Sequence, residues 1–104
     1  RKRAHLLQKA MGCSKKRPHL IISTYGLLTS TVDLTPLDHE ENYYWSYVVL
    51  DEGQKIKNAS TQVNKGCHQI SRSSKTSRLL LTGTPIMNNL VELWTLFDWA
   101  TNGK

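Results

Sequence analysis

Three short, unbroken apolar runs constrain this chain more than any other feature: Leu20-Ile21-Ile22, Tyr47-Val48-Val49-Leu50 and Leu79-Leu80-Leu81. None of them alternates with polar residues. A strand with one wet face reads apolar-polar-apolar, whereas a strand covered on both faces by helices reads as a continuous apolar stretch. Turn-forming or polar residues bound the runs: Pro18 stands before the first, Asp51-Glu52-Gly53 after the second and Thr82-Gly83-Thr84-Pro85 after the third. The intervening segments support helices. Ala4, Leu7 and Met11 predict a helix over 3–11 that stops at Gly12. A second is predicted over 59–70, where Val63, Cys67 and Ile70 share a face, although Gly66 costs about 1 kcal/mol of helix propensity. The clearest helix follows Asn89, which forms a capping-box pattern with Glu92. In it Leu90, Leu93, Trp94 and Phe97 make one apolar stripe, which predicts a buried face. The segment 29–42 is polar and acidic, contains Pro36 and reads as a loop.

Strands alternating with helices in this way predict an α/β fold with a parallel sheet flanked by helices. Ligands of such sheets bind beyond the carboxyl ends of the strands. The two unusual polar clusters, Asp51-Glu52 and Thr82 to Pro85, stand at those ends.

At 104 residues the chain has room for one modest core. A hydrophobic fraction of 38% and a charged fraction of 21% indicate neither a disordered nor a membrane protein, and no apolar run approaches the roughly 20 residues of a span. The first residue is Arg1 and no signal-peptide pattern follows, so the sequence reads as cut from a longer protein. The net charge of +6 is concentrated at the start, where Arg1, Lys2, Arg3, Lys9, Lys15, Lys16 and Arg17 occupy 1–17 without a carboxylate. Such a basic segment suits a polyanion or is simply a solvated face, and Lys15-Lys16-Arg17-Pro18 has the composition of a nuclear-targeting cluster. Cys13 and Cys67 belong to no CxxC or zinc-spaced set and read as reduced thiols. Cys67 and His68, adjacent on a helix, point in different directions and do not read as metal ligands.

Val48-Val49-Leu50-Asp51-Glu52 has the form of a Walker B strand, in which a rigid apolar strand projects two carboxylates. One carboxylate suits magnesium, held through water, and the other suits activation of a lytic water. Hydrophobic residues followed by Asp-Glu are common, so the pattern alone decides nothing.

Four separated segments together resemble the Swi/Snf family of helicase-like ATPases. Leu20-Ile21-Ile22-Ser23-Thr24-Tyr25 is similar to its motif Ib; Trp45 through Asn58, with Asp51-Glu52-Gly53-Gln54-Lys55-Ile56-Lys57-Asn58 at its end, is similar to motif II. Arg78-Leu79-Leu80-Leu81-Thr82-Gly83-Thr84-Pro85-Ile86 resembles motif III, and Asn88 through Asp98 resembles the helix that follows it. The Gly after Asp-Glu and the Lys-Ile-Lys-Asn tail are most similar to the Cockayne-syndrome-group-B and Plk-interacting checkpoint helicase branch.

The resemblance implies that 1–104 is a fragment of the N-terminal helicase ATP-binding lobe, a partial RecA-like lobe with motifs Ib, II and III and a basic segment over 1–17. It implies a nuclear, ATP- and magnesium-dependent translocase on double-stranded DNA, working with chromatin or repair proteins and not with a membrane. Asp51 is then the magnesium-side carboxylate and Glu52 the general base, both at the nucleotide with Gln54. Gln54, Thr82, Gly83 and Thr84 are the coupling residues, and Thr24 contacts a DNA phosphate. On chemistry alone each threonine is equally a local backbone cap.

Two positions depart from the family. Gln54 stands where His is usual and Met87 where Gln is usual; Gln54 can both donate and accept a hydrogen bond but carries no charge. No GxxxxGK[ST] phosphate loop occurs in the sequence, and Gly103-Lys104 does not supply one, so the chain alone is not expected to hydrolyse ATP. A truncated or degenerate lobe acting as a non-catalytic DNA- or protein-binding module is the alternative.

Overall fold

Strands β1 (Tyr47–Leu50) and β2 (Ser77–Leu80) pair in parallel, Tyr47 opposite Ser77 through Leu50 opposite Leu80. The structure is a computed structural model and describes residues 20–29, 44–83 and 89–102. Pairing continues past the strand ends, with Ser77 N donating to Ser46 O at 2.8 Å and Leu81 N donating to Leu50 O at 2.9 Å. Val48 and Leu50 point inward and are buried, while Tyr47, Val49 and Leu79 are exposed. The expected parallel sheet with flanking helices is present, and its Val48-Leu50 face is the one covered among the described residues. Alternate side chains of a pleated strand face opposite ways, and among the described residues the helices meet only one of those faces.

The reading of the first apolar run as a strand is corrected. Leu20 to Thr24 form no strand, and Ile22 is 89% exposed. No ladder partner holds this segment, because the sheet of the described residues has two strands. Leu27 N instead donates to Thr24 O, turning the chain into a 3₁₀ helix over Tyr25–Thr29 that buries Leu28.

Helix α1 (Gln62–Ile70) starts later than 59 because the residues before it are committed to a turn. Asn58 Oδ1 accepts from Ser60 N and Ser60 Oγ, and Asn58 O accepts from Thr61 N. Thr61 then caps the helix by accepting from Asn64 N at 3.2 Å. The helix buries Asn64, Gly66 and Cys67, and burial pushes the Cys67 thiol up to about 12. Asn64 Nδ2 donates to Ile56 O at 2.8 Å, which fastens α1 to a second 3₁₀ helix over Gly53–Ile56. A Cβ at Gly66 would lie 2.2 Å from Leu28 O, so the first 3₁₀ helix rests directly on the α1 backbone.

Helix α2 (Leu90–Thr101) has the expected cap, with Asn89 Oδ1 accepting from Glu92 N at 2.9 Å. The Glu92 carboxylate is turned toward Lys57, 3.9 Å away. The face that α2 buries is not the predicted one. Thr95, Leu96 and Trp99 are buried, whereas Leu90 and Phe97 are exposed and Trp94 is 67% exposed. Apolar residues occupy most of the circumference of this helix, so the periodicity of one stripe does not identify the inner face. Trp99 is wholly buried, and its indole N–H donates to Cys67 O.

Arg78, from β2, locks the far side of this core. Its guanidinium donates to Trp99 O at 2.7 Å, to Asn102 Oδ1 at 2.8 Å and to Ser71 O, and lies 5.5 Å from the centre of the Trp99 ring. Carbonyls at the carboxyl ends of both helices are thereby satisfied by one cation. The predicted helix over 3–11 lies outside the described residues, as does the predicted loop over 29–42 beyond Thr29.

Candidate active site

At the end of β1 the chain leaves the sheet through Asp51 and Glu52, both exposed. Glu52 turns left-handed, with φ 54° and ψ 48°, and becomes the residue that starts the second 3₁₀ helix. For a residue with a Cβ that conformation costs about 1–2 kcal/mol, so its neighbours must hold it. They do so at the peptide joining the two acids. Its carbonyl, on Asp51, accepts the Tyr25 hydroxyl at 2.6 Å, and its N–H, on Glu52, donates to Asp51 Oδ1 at 3.0 Å. Gly53 N then donates to Leu81 O at 2.7 Å, tying the acidic turn to the end of β2. A Cβ at position 53 would stand 2.4 Å from Leu80 Cγ, so the close approach of turn and strand depends on the glycine.

Gln54 joins the two strand ends through side chains. Its Nε2 donates to Glu52 Oε2 at 2.5 Å, and its Oε1 accepts from Thr82 Oγ1 at 2.7 Å. An amide is a donor at one end and an acceptor at the other, so the direction of the chain is set: Thr82 to Gln54 to Glu52. Four sequence-predicted residues, Asp51, Glu52, Gln54 and Thr82, are thus brought together at the carboxyl ends of the strands. Gly83 follows, exposed and with open space around its Cα. Thr84 and Met87 lie outside the described residues.

Thr24 is exposed and stands at the entry to the first 3₁₀ helix, where its carbonyl accepts from Leu27 N. Its neighbour Tyr25 is the residue that sequence reasoning passed over. It closes the quoted motif Ib segment, and its hydroxyl spans 26 residues of sequence to reach Asp51. Burial, followed by the nearby Cys67, Asp51 and Glu52, pushes that hydroxyl up to about 12, so it stays protonated and able to donate. Lys55 Nζ lies 5.7 Å from the centre of the same ring.

A groove of about 350 Å³ lies between residues 20–25 and β1, with Leu20, Ile22, Trp45 and Val49 in its wall. Of the candidate residues it takes in only Thr24 and Asp51. The carboxylate-amide-hydroxyl chain stands beyond it, at the exposed turn. Among the described residues no group of three or more His, Cys, Asp or Glu side chains is arranged to hold a metal. An adjacent pair of exposed carboxylates does fit magnesium, which keeps several waters and takes few protein ligands.

The SNF2-related domain model matches residues 3–104. The chain belongs to the SNF2-related domain family. Its two parallel strands with flanking helices are part of the α/β architecture of a RecA-like lobe. Human "DNA excision repair protein ERCC-6-like" is 44% identical over 90 residues, which is 86% of this chain and 7% of that protein. "DNA repair and recombination protein RAD26" of Saccharomyces cerevisiae is 40% identical over 87 residues, 83% of this chain and 7% of the relative. "Protein CHROMATIN REMODELING 8" of Arabidopsis thaliana is 40% identical over 84 residues, again 7% of the relative's length and 79% of this chain. This SNF2-related domain sequence therefore spans a small part of the relatives it matches. No helix among its described residues is long and apolar enough to cross a membrane.

Proposed function

We propose that this SNF2-related domain chain supplies motifs Ib, II and III of the first ATPase lobe of a longer, nuclear protein that moves along double-stranded DNA by hydrolysing ATP. The observation that carries the reading is the continuous hydrogen-bonded chain from Glu52 through Gln54 to Thr82. It links a carboxylate after β1 to a hydroxyl after β2, which is the connection a motor needs between its hydrolytic base and a segment that senses the nucleotide. The names of its relatives speak of DNA excision repair, DNA repair and recombination, and chromatin remodelling, and we assign this chain to that range of processes.

Bound magnesium-ATP would supply a phosphoanhydride whose leaving group is stabilised by the metal. Asp51 is the residue we assign to the metal, through water, with one carboxylate oxygen already steadied by Glu52 N–H. Glu52 is the general base. One of its oxygens is engaged by Gln54, and the other is the acceptor for the proton of the attacking water. Once Glu52 holds that proton, the charge toward which Gln54 Nε2 points is gone, and the Thr82 hydroxyl at the far end of the amide registers the change. Gln54 thus performs by hydrogen-bond direction what a histidine performs by charge. Thr24, exposed at the entry to the first 3₁₀ helix, is assigned to a DNA phosphate. The phosphate loop, which this sequence lacks, and the second lobe are assigned to other parts of the longer protein.

The test is ATP turnover by the full-length protein with and without duplex DNA. Turnover that rises with DNA and falls by about 10²- to 10⁴-fold in Glu52→Gln is expected for loss of a general base. Absence of DNA stimulation in the unsubstituted protein favours a non-catalytic scaffold and ends the translocase reading.

A further inference from the structure

One peptide joins the two carboxylates of the site, and both of its poles are held. The Tyr25 hydroxyl binds its carbonyl at 2.6 Å, and Asp51 Oδ1 accepts its N–H at 3.0 Å. Because the peptide is planar, ψ of Asp51 and φ of Glu52 together set its orientation, so holding both of its poles constrains the two torsions from which the acidic side chains take their direction. Its present setting keeps Glu52 left-handed, a conformation that persists only while its surroundings enforce it. One of the two holds is local to Asp51. The other arrives from a different part of the chain.

Tyr25 directly follows the exposed Ser23-Thr24 pair and opens the first 3₁₀ helix. That helix is anchored at its other side by Leu28, which is buried and whose backbone rests on Gly66. A ligand pressing on Ser23-Thr24 therefore works on a short arm with a fixed base, and the phenol at the pivot ends on the peptide between the acids. The ring is also gripped from the motif II side, by Lys55 at 5.7 Å. Replacing Tyr25 by Phe keeps the ring and that contact and deletes only the hydroxyl.

We propose that Tyr25 is a positioning residue whose hydroxyl, by holding the Asp51 carbonyl, couples occupation of the Ser23-Thr24 segment by duplex DNA to the orientation of Asp51 and Glu52. The coupling rests on the reading of the chain as part of a DNA-dependent ATPase. It explains why a tyrosine ends a segment assigned to phosphate contact: the threonine meets the backbone of the duplex and the next residue reports to the carboxylates.

The experiment measures ATP turnover by the full-length protein without DNA and at saturating duplex DNA, for the unsubstituted protein, Tyr25→Phe, Thr24→Ala and the double variant. In Tyr25→Phe the ratio of the two rates falls by about fivefold, the rate equivalent of one hydrogen bond, while the DNA concentration giving half-maximal stimulation stays at the unsubstituted value. In the double variant the ratio falls no further than in Thr24→Ala, because both substitutions interrupt one path. A ratio unchanged in Tyr25→Phe overturns the proposal. So does a fall of both rates together at constant ratio, the signature of a merely structural tyrosine, and so do losses that multiply in the double variant. If the unsubstituted protein shows no stimulation by DNA, the translocase reading fails and the coupling fails with it, an outcome distinct from the other three.

Discussion

Helix α1 is largely polar, yet it buries Asn64, Gly66 and Cys67; helix α2 is far more apolar, yet it leaves Leu90, Val91, Trp94 and Phe97 exposed. The difference shows what burial requires here. α1 is drawn inward by specific partners: Asn64 gives its amide to Ile56 O, and Gly66 admits the Leu28 backbone. A buried polar group is tolerated when it is hydrogen-bonded, and a missing side chain allows an approach that no packed side chain permits. α2 is held chiefly by its inner face, where Trp99 donates to Cys67 O and lies beneath Arg78. Its outer stripe meets nothing comparable among the described residues.

Three substitutions test that contrast on the stability of the chain, followed by denaturant unfolding. The largest effect belongs to Trp99→Ala, which empties the centre of the core and is expected to cost about 3–5 kcal/mol. A loss under about 1 kcal/mol would mean that the inner face of α2 does not organise the core. Gly66→Ala comes next. Alanine is the better helix former by about 1 kcal/mol, but its Cβ would stand 2.2 Å from Leu28 O, so a net loss of about 1–3 kcal/mol is expected. A stabilised Gly66→Ala variant would show that the first 3₁₀ helix does not pack there. The smallest effect is that of Trp94→Ser, expected within about 0.5 kcal/mol despite the size of the side chain, because little of it is buried. A loss comparable to that of Trp99→Ala would instead place the α2 stripe in the core.

Much of the fold and the site can be read in the sequence, and the failures have physical causes. β1 is placed correctly because Tyr47-Val48-Val49-Leu50 is apolar, short and stopped by two acids. β2 is recognised but begins at Ser77, since backbone pairing extends a strand into polar residues when the partner's register demands it. Leu20-Ile21-Ile22 has a strand's composition without a strand's neighbour among the described residues, and composition cannot supply the neighbour. The inner face of α2 is missed because several faces of the helix are apolar. At the candidate site, the meeting of Glu52, Gln54 and Thr82 beside Asp51 at the strand ends is anticipated by motif order. The left-handed backbone of Glu52 is not, because nothing in the local sequence calls for it; the hold comes partly from Tyr25, distant in the chain.

The parallel register also decides when the site comes into being. Tyr47 meets Ser77 and Leu50 meets Leu80, so every rung of the ladder closes a loop of thirty residues. Loop closure of that kind is slow compared with helix formation, and α1 with its Asn58-Thr61 turn lies wholly inside the loop. The helix can therefore form from local contacts while the acidic pair still sits at the end of an unpaired segment. Gly53 finds Leu81, and Gln54 finds Thr82, only after β2 has zipped against β1. A ribosome that has released Asp51 and Glu52 has thus delivered both carboxylates but no ordered site; that appears later in synthesis, when β2 clears the exit tunnel.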